Sequence, residues 1–277
     1  MTDLRPPKGF MFDLDGTLIL SNRELGEYQV LPGAVDVLQT LEARGIPFLA
    51  LTNGSAYAAS VQAPKLRKVG LPIRDERLFT PNSVAAKVIR DRGFANVLVL
   101  GTQGVVDALK GHGIACCVAT NESAGSADAV YVAWHPNCTM EDIHAACSRV
   151  MDGAAFLTAS DVPFFATQAG PAFGYSCAIC GAIARVTGKE PEVTGKPSIH
   201  AMDFVAAQLG LAAEDVWVIG DDPRVETEMA QAGGAIGIGV TSGTTSREEW
   251  AAQAPERRPH LVIETVGELL TGGYLPD

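Results

Sequence analysis

The stretch FMFDLDGTLI, residues 10–19, ends an apolar run with two carboxylates, Asp13 and Asp15, and then a glycine. Side chains alternate faces along a strand. Past a strand's end the chain turns, and there Asp13 and Asp15 can converge on one site. Gly16 permits a tight turn, and Thr17 can cap the chain beyond it. Taken alone, the motif fits a solvated pair of aspartates at a strand-to-loop junction equally well.

Outward from this run, short β-rich segments alternate with helical patterns: GFMFDLD, VDVLQTLEARG, IPFLALTN, then a helix from about Ser55 to Val69. That rhythm predicts a parallel sheet with helices on both faces. Further strands are expected in NVLVLG (96–101), AVYVAW (129–134), AAFLTAS (154–160), VWVIGD (216–221) and AIGIGV (235–240). In open α/β sheets ligands bind at the carboxyl ends of strands, so those endings are the first place to look for chemistry. Turn-forming residues at Thr80-Pro81-Asn82-Ser83 and Gly188-Lys189-Glu190-Pro191 bracket a segment with strands and helices of its own. We therefore expect a core of residues 1–81 and 191–277 with an inserted second domain at 82–190.

The composition narrows the function. A net charge of −11 with no basic run argues against nucleic acid. An anionic small molecule would need local help from a metal ion, a lysine or backbone amides. The N-terminus has no apolar signal region, and apolar runs break well short of the roughly 20 residues that span a bilayer, so no membrane partner and a cytoplasmic location are expected. The six cysteines lack zinc-ribbon spacing and are expected to be reduced and largely buried. Cys177 and Cys180 form a CxxC inside GPAFGYSCAICGAIARVTG, a small-residue run that looks helical and favours core packing over redox or metal chemistry.

Four polar islands stand at strand ends: Asp13-Leu14-Asp15-Gly16-Thr17, Leu51-Thr52-Asn53-Gly54-Ser55, Thr194-Gly195-Lys196-Pro197 and Ile219-Gly220-Asp221-Asp222. In this order they resemble the four motifs of the haloacid dehalogenase-like phosphatases. With PGA at 32–34 and GVTSG at 239–243, the pattern looks most like the branch containing the 4-nitrophenylphosphatases and NagD-like enzymes. The resemblance is strong in the core and weak in the insert. It implies a Rossmann-like, doubly wound parallel-sheet core with an inserted α/β cap of the C2 type, and Mg²⁺-dependent hydrolysis of a small phosphorylated metabolite.

On that resemblance Asp13 is the nucleophile that forms an aspartyl-phosphate, and Asp15 the general acid and then base. Two carboxylates repel a phosphate dianion, which calls for Mg²⁺ on oxygen ligands: Asp13, the backbone carbonyl of Asp15, and Asp221. Lys196 adds a compact cation beside Asp13 and the transferring group. Thr52 offers a hydroxyl, and Asn53, Gly54 and Ser55 offer amides at an expected helix start, a cradle for phosphate. On its own, LTNGS fits a simple helix cap.

The chain departs from the family pattern in places. Gly54 stands where a second asparagine is usual. Asp222 stands where a basic residue is typical, and Glu226 replaces an aspartate. In the insert, Phe164 and Phe165 fall where a substrate-specificity loop is expected, and they fit a leaving-group contact or a buried core equally. His135, in AWHPN, also departs from the pattern and receives no role here. Two other readings stay open. One is a phosphotransferase or mutase using the same intermediate; the other is a catalytically impaired binding homologue. The substrate and the oligomeric state, a homodimer included, are left open.

Overall fold

A computed structural model describes residues 4–22, 27–119, 125–167 and 170–276. The chain divides into two compact units, residues 1–52, 62–79 and 196–277 in the first and 53–61 and 80–195 in the second.

The first unit is built on a six-stranded sheet. Its strands run in the order Leu261–Ile263, Ile236–Val240, Val216–Gly220, Gly9–Phe12, Phe48–Leu51 and Leu78–Phe79, and every neighbouring pair is parallel. Phe10, Met11 and Phe12 are wholly buried because a central parallel strand is covered on both faces. From this strand the connections lead outward in both directions, the doubly wound arrangement. Asp13 therefore leaves the sheet at the point where the strand order reverses, the usual place for a ligand. The helix Ala34–Arg44 buries Ala34, Val37, Leu38 and Leu41, one stripe at helical spacing.

The second unit has a five-stranded parallel sheet in the order Glu192–Val193, Ala155–Thr158, Ala129–Val132, Val97–Leu100 and Cys116–Val118. One side of it packs Val97, Val99, Tyr131 and Leu157 against Val105 and Leu109 of the helix Gln103–Gly111. The other packs Leu98, Val130 and Phe156 with Val150, Ile179, Cys180 and Ile183. Among the described residues, no helix is long and apolar enough to cross a membrane.

Several local expectations are corrected. The helix expected from Ser55 begins only at Ala59 and ends at Lys68. The run GPAFGYSCAICGAIARVTG is helical only over Tyr175–Thr187; Gly170–Phe173 is a strand paired antiparallel with Phe164–Thr167. Pro171 has no N–H to donate and suits a two-stranded edge better than a helix interior. All six cysteines are free, but only Cys147 and Cys180 are buried, the other four being half-buried. Cys180 belongs to the apolar core. Phe164 is 59% exposed, so it is not a core residue; the side chain of Phe165 lies outside the described residues.

Candidate active site

The strand Gly9–Phe12 continues into Asp13, whose N–H donates to the Ile219 carbonyl of the neighbouring strand at 2.9 Å. The chain then turns sharply. The amides of Thr17, Leu18 and Ile19 all point to the Leu14 carbonyl, and Gly16 N–H donates to Ile19 at 2.7 Å. Gly16 has φ +85°, and a Cβ there would stand 2.3 Å from Asp221 Oδ2. Gly243 is held to the same limit, at 2.1 Å from that oxygen. The two glycines leave the room into which the Asp221 carboxylate fits. Thr17, expected to cap this turn, is buried, and its hydroxyl has no hydrogen-bond partner among the described residues.

Lys196 joins the carboxylates. Its Nζ lies 2.5 Å from Asp13 Oδ1 and 2.7 Å from Glu226 Oε1, and its side chain is 1% exposed. Asp221 Oδ2 accepts from Thr244 N–H at 2.8 Å and from the Thr244 hydroxyl at 3.0 Å. The Ser242 hydroxyl ties this loop to the Gly16 carbonyl at 2.7 Å. Thr244 and Ser242 are site residues that the four islands did not include. The signal available for them was the Ser-Gly-rich run just past the strand Ile236–Val240.

Two of three buried carboxylates, Asp13 and Glu226, thus share one ammonium, while the third, Asp221, is held by Thr244. Burial pushes Asp13 above the usual carboxylate range; Lys196 opposes the shift and Asp15 adds to it. Burial likewise raises Asp221 to about 7, with Asp13 adding and Thr244 opposing. Glu226 is also shifted upward by burial, against the pull of Lys196. Burial alone would lower Lys196, but Asp13 and Glu226 outweigh it and the ammonium is held above its ordinary value. The charge balance leaves a negative excess that a divalent cation would neutralise, and the donors are all oxygen, as Mg²⁺ prefers.

The two departures in the fourth island behave differently. Glu226, with its extra methylene, reaches Lys196 and is 2% exposed. It sits in a π-helical turn, Pro223–Thr227, that follows directly on Asp222. Asp222 caps that turn by accepting Arg224 N–H at 2.9 Å, and its carboxylate also pairs with the Arg224 guanidinium at 2.9 Å. The reversed charge at position 222 is therefore answered by Arg224, two residues on. Thr52 is buried at the end of the strand Phe48–Leu51, its N–H donating to Phe79 at 3.2 Å.

Asn53 and Gly54 belong to the second unit and precede the helix by several residues, so their amides are not a helix start. The cause lies in Ser55. Its carbonyl accepts from Asn82 at 2.9 Å and its hydroxyl from Trp134 N–H at 3.1 Å, which holds the loop against its own unit. Ser55 thus serves an internal tie of that unit. Phe164 and Phe173 face each other in register across the antiparallel pair, and both are exposed.

Residues 10–130 match the family model described as haloacid dehalogenase-like hydrolase, and residues 193–269 match a second, HAD-hydrolase-like model. The 5'-nucleotidase YutF of Bacillus subtilis is 26% identical over 242 residues, covering 87% of this chain and 90% of the relative. The solved p-nitrophenyl phosphatase of Archaeoglobus fulgidus superposes with a TM-score of 0.84 at 25% identity, over 97% of this chain and 100% of the other. A glycerol phosphate phosphatase of Mycobacterium tuberculosis, solved in complex with magnesium, has the same fold, with a TM-score of 0.81 at 24% identity over 95% and 77% of the two chains. The chain belongs to the haloacid dehalogenase-like hydrolases and is a phosphatase of that superfamily. In fold it stands beside the p-nitrophenyl phosphatase of Archaeoglobus fulgidus and NagD of E. coli.

Proposed function

We propose that the protein is a Mg²⁺-dependent phosphomonoesterase that acts on a small phosphorylated metabolite through an aspartyl-phosphate on Asp13. The observation that carries this reading is the buried Lys196 Nζ, 2.5 Å from Asp13 Oδ1 at the carboxyl edge of the sheet. An ammonium there orients the carboxylate and offsets its charge against an incoming phosphate.

Asp13 attacks phosphorus while the ester oxygen departs and takes a proton from Asp15. Asp15 then removes a proton from water, whose oxygen attacks the same phosphorus; free phosphate leaves and the Asp13 carboxylate is restored. Asp13, the Asp15 backbone carbonyl and Asp221 would hold the ion, and Thr244 fixes the Asp221 carboxylate by two hydrogen bonds. Bound Mg²⁺ supplies positive charge to the phosphoryl oxygens. Thr52 is read as a phosphate ligand, with Asn53 and Gly54 contributing amides from the loop that follows.

Residues 82–190 are read as a cap domain inserted into a core of 1–81 and 191–277, with Phe164 and Phe165 of its hairpin as candidate substrate contacts. The chemistry does not depend on which ester is cleaved, so the metabolite is defined here only as a small phosphomonoester.

Release of phosphate from p-nitrophenyl phosphate tests the reading. We expect turnover that requires Mg²⁺ and falls by at least roughly a thousandfold in Asp13→Asn. No Mg²⁺-dependent release by the wild-type protein would overturn it. An added alcohol that diverted phosphate from water would instead identify a phosphotransferase.

A further inference from the structure

A second cluster of ligand-type side chains stands in the second unit, made of residues that the core chemistry does not use. After the strand Ala129–Val132 the chain runs Trp134-His135-Pro136-Asn137-Cys138-Thr139-Met140-Glu141-Asp142. Cys138 N–H donates to the His135 carbonyl at 3.3 Å, closing a turn in which Pro136 sits where its fixed φ suits the bend. That turn brings the side chains at both of its ends together.

Thr139 then caps the helix Met140–Met151. Its hydroxyl accepts from Asp142 N–H at 3.2 Å, while Asp142 Oδ2 accepts from Thr139 N–H at 2.8 Å and from its hydroxyl at 2.9 Å. The reciprocal cap folds the Asp142 carboxylate back toward the turn, 3.4 Å from His135 Nε2. One ring nitrogen of His135, Cys138 Sγ and one carboxylate oxygen of Asp142 all lie within 4.8 Å of one another. His135 Nδ1 is buried and has no hydrogen-bond partner among the described residues. The Asp142 side chain is 7% exposed and that of His135 17%, so the cluster is largely desolvated without being wholly closed to solvent.

We propose that His135, Cys138 and Asp142 form a binding site for a borderline-soft divalent cation of the zinc type. A nitrogen, a sulfur and an oxygen ligand favour such an ion over Mg²⁺. Tetrahedral zinc, with bonds of about 2.0–2.3 Å, sets its ligands roughly 3.3–3.8 Å apart, a spacing that small side-chain rotations here would reach. Uptake forms the bond from Cys138 Sγ to the metal as the S–H bond breaks, and the proton passes to solvent. Three protein ligands leave the fourth position to water.

Cobalt(II) titrated into the full-length protein tests this, because a thiolate ligand gives a near-ultraviolet charge-transfer band that the sulfur-free core site cannot produce. We expect a saturable band at one cobalt per chain, displaced by Zn²⁺. It should be lost in Cys138→Ser, weakened at least about tenfold in His135→Gln, and retained in Cys177→Ser. Hydrolysis of p-nitrophenyl phosphate in Mg²⁺ should persist in all three variants, which checks their folding apart from the metal readout. The absence of a band in the wild-type protein, or its survival in Cys138→Ser, would overturn the proposal.

Discussion

Lys196 bridges Asp13 and Glu226 at 2.5 and 2.7 Å, and the sign of any change at Glu226 follows from that arrangement. Burial first, with Asp13 and Asp221 adding to it, disfavours an ionised Glu226 despite the pull of Lys196, so its charge is unfavourable in the metal-free protein. Glu226→Gln keeps the shape and a hydrogen-bonding oxygen while removing one negative charge. We expect it to leave metal-free stability within about 1 kcal/mol of wild type, because the lost attraction to Lys196 and the relieved repulsion offset each other. Glu226→Ala also leaves a cavity in a buried polar site, and should cost about 2–4 kcal/mol. Urea unfolding in EDTA separates the two; equal losses would show that the ion pair outweighs the repulsion. The positions of Asp13, Asp15, Asp221 and Lys196 at or near strand ends were legible in the sequence because each follows a strand pattern or lies in a short polar island. Thr244 was not, because its role exists only where its loop meets Asp221.

At the scale of elements, the loops after the strands Val216–Gly220 and Ile236–Val240 set the position of Asp221 and Glu226. Gly243→Ala would place a methyl 2.1 Å from Asp221 Oδ2, so the loop or the carboxylate must move. The expected result is a loss of about 1–3 kcal/mol in stability and a several-fold rise in the Mg²⁺ concentration needed for half-maximal hydrolysis. A Mg²⁺ titration of p-nitrophenyl phosphate turnover measures it, and an unchanged midpoint would mean that Asp221 does not hold the ion. Asp222→Ala removes the cap of the π-helical turn and the partner of Arg224. It should lower stability by about 1 kcal/mol while changing turnover only a few-fold, since the lost carboxylate is turned to Arg224 and the Asp222 N–H, which donates to Glu226 Oε2 at 3.3 Å, is kept. The early start expected for the helix at 59–68 shows the limit of local reading. The Ser55 hydroxyl and carbonyl could equally cap a helix or tie a loop, and Trp134 and Asn82, far along the chain, decide in favour of the tie.

For the whole molecule, the buried carboxylates link stability to pH and metal. Asp221 has an ordinary value of 3.8 and is raised to about 7 in the fold, so between these pH values the native state holds a proton that the unfolded chain has lost. Stability from this group is full below about pH 4, falls as pH rises, and levels off above about pH 7; the upward shifts of Asp13 and Glu226 act in the same direction. In EDTA we expect the unfolding temperature to drop by roughly 5 °C or more between pH 5 and pH 8. Mg²⁺ should reduce that drop by binding the ionised carboxylates. Thermal scans at both pH values, with and without Mg²⁺, check this, and a drop that Mg²⁺ leaves unchanged would count against metal binding at these groups.

Taken by itself, the sequence determined the alternation of strands and helices, the order of the polar islands and the place of Asp13 and Asp15 just past the end of a strand. These are encoded in apolar runs and turn residues within a few positions of one another, FMFDLDGTLI among them. Tertiary structure alone decided that Lys196 is shared between Asp13, 183 positions away, and Glu226. It also decided that Thr244 holds Asp221 and that Arg224 answers the charge of Asp222. Coulombic pairs and buried hydrogen bonds depend on which strand ends lie side by side. That adjacency belongs to the sheet order, not to any segment of the chain.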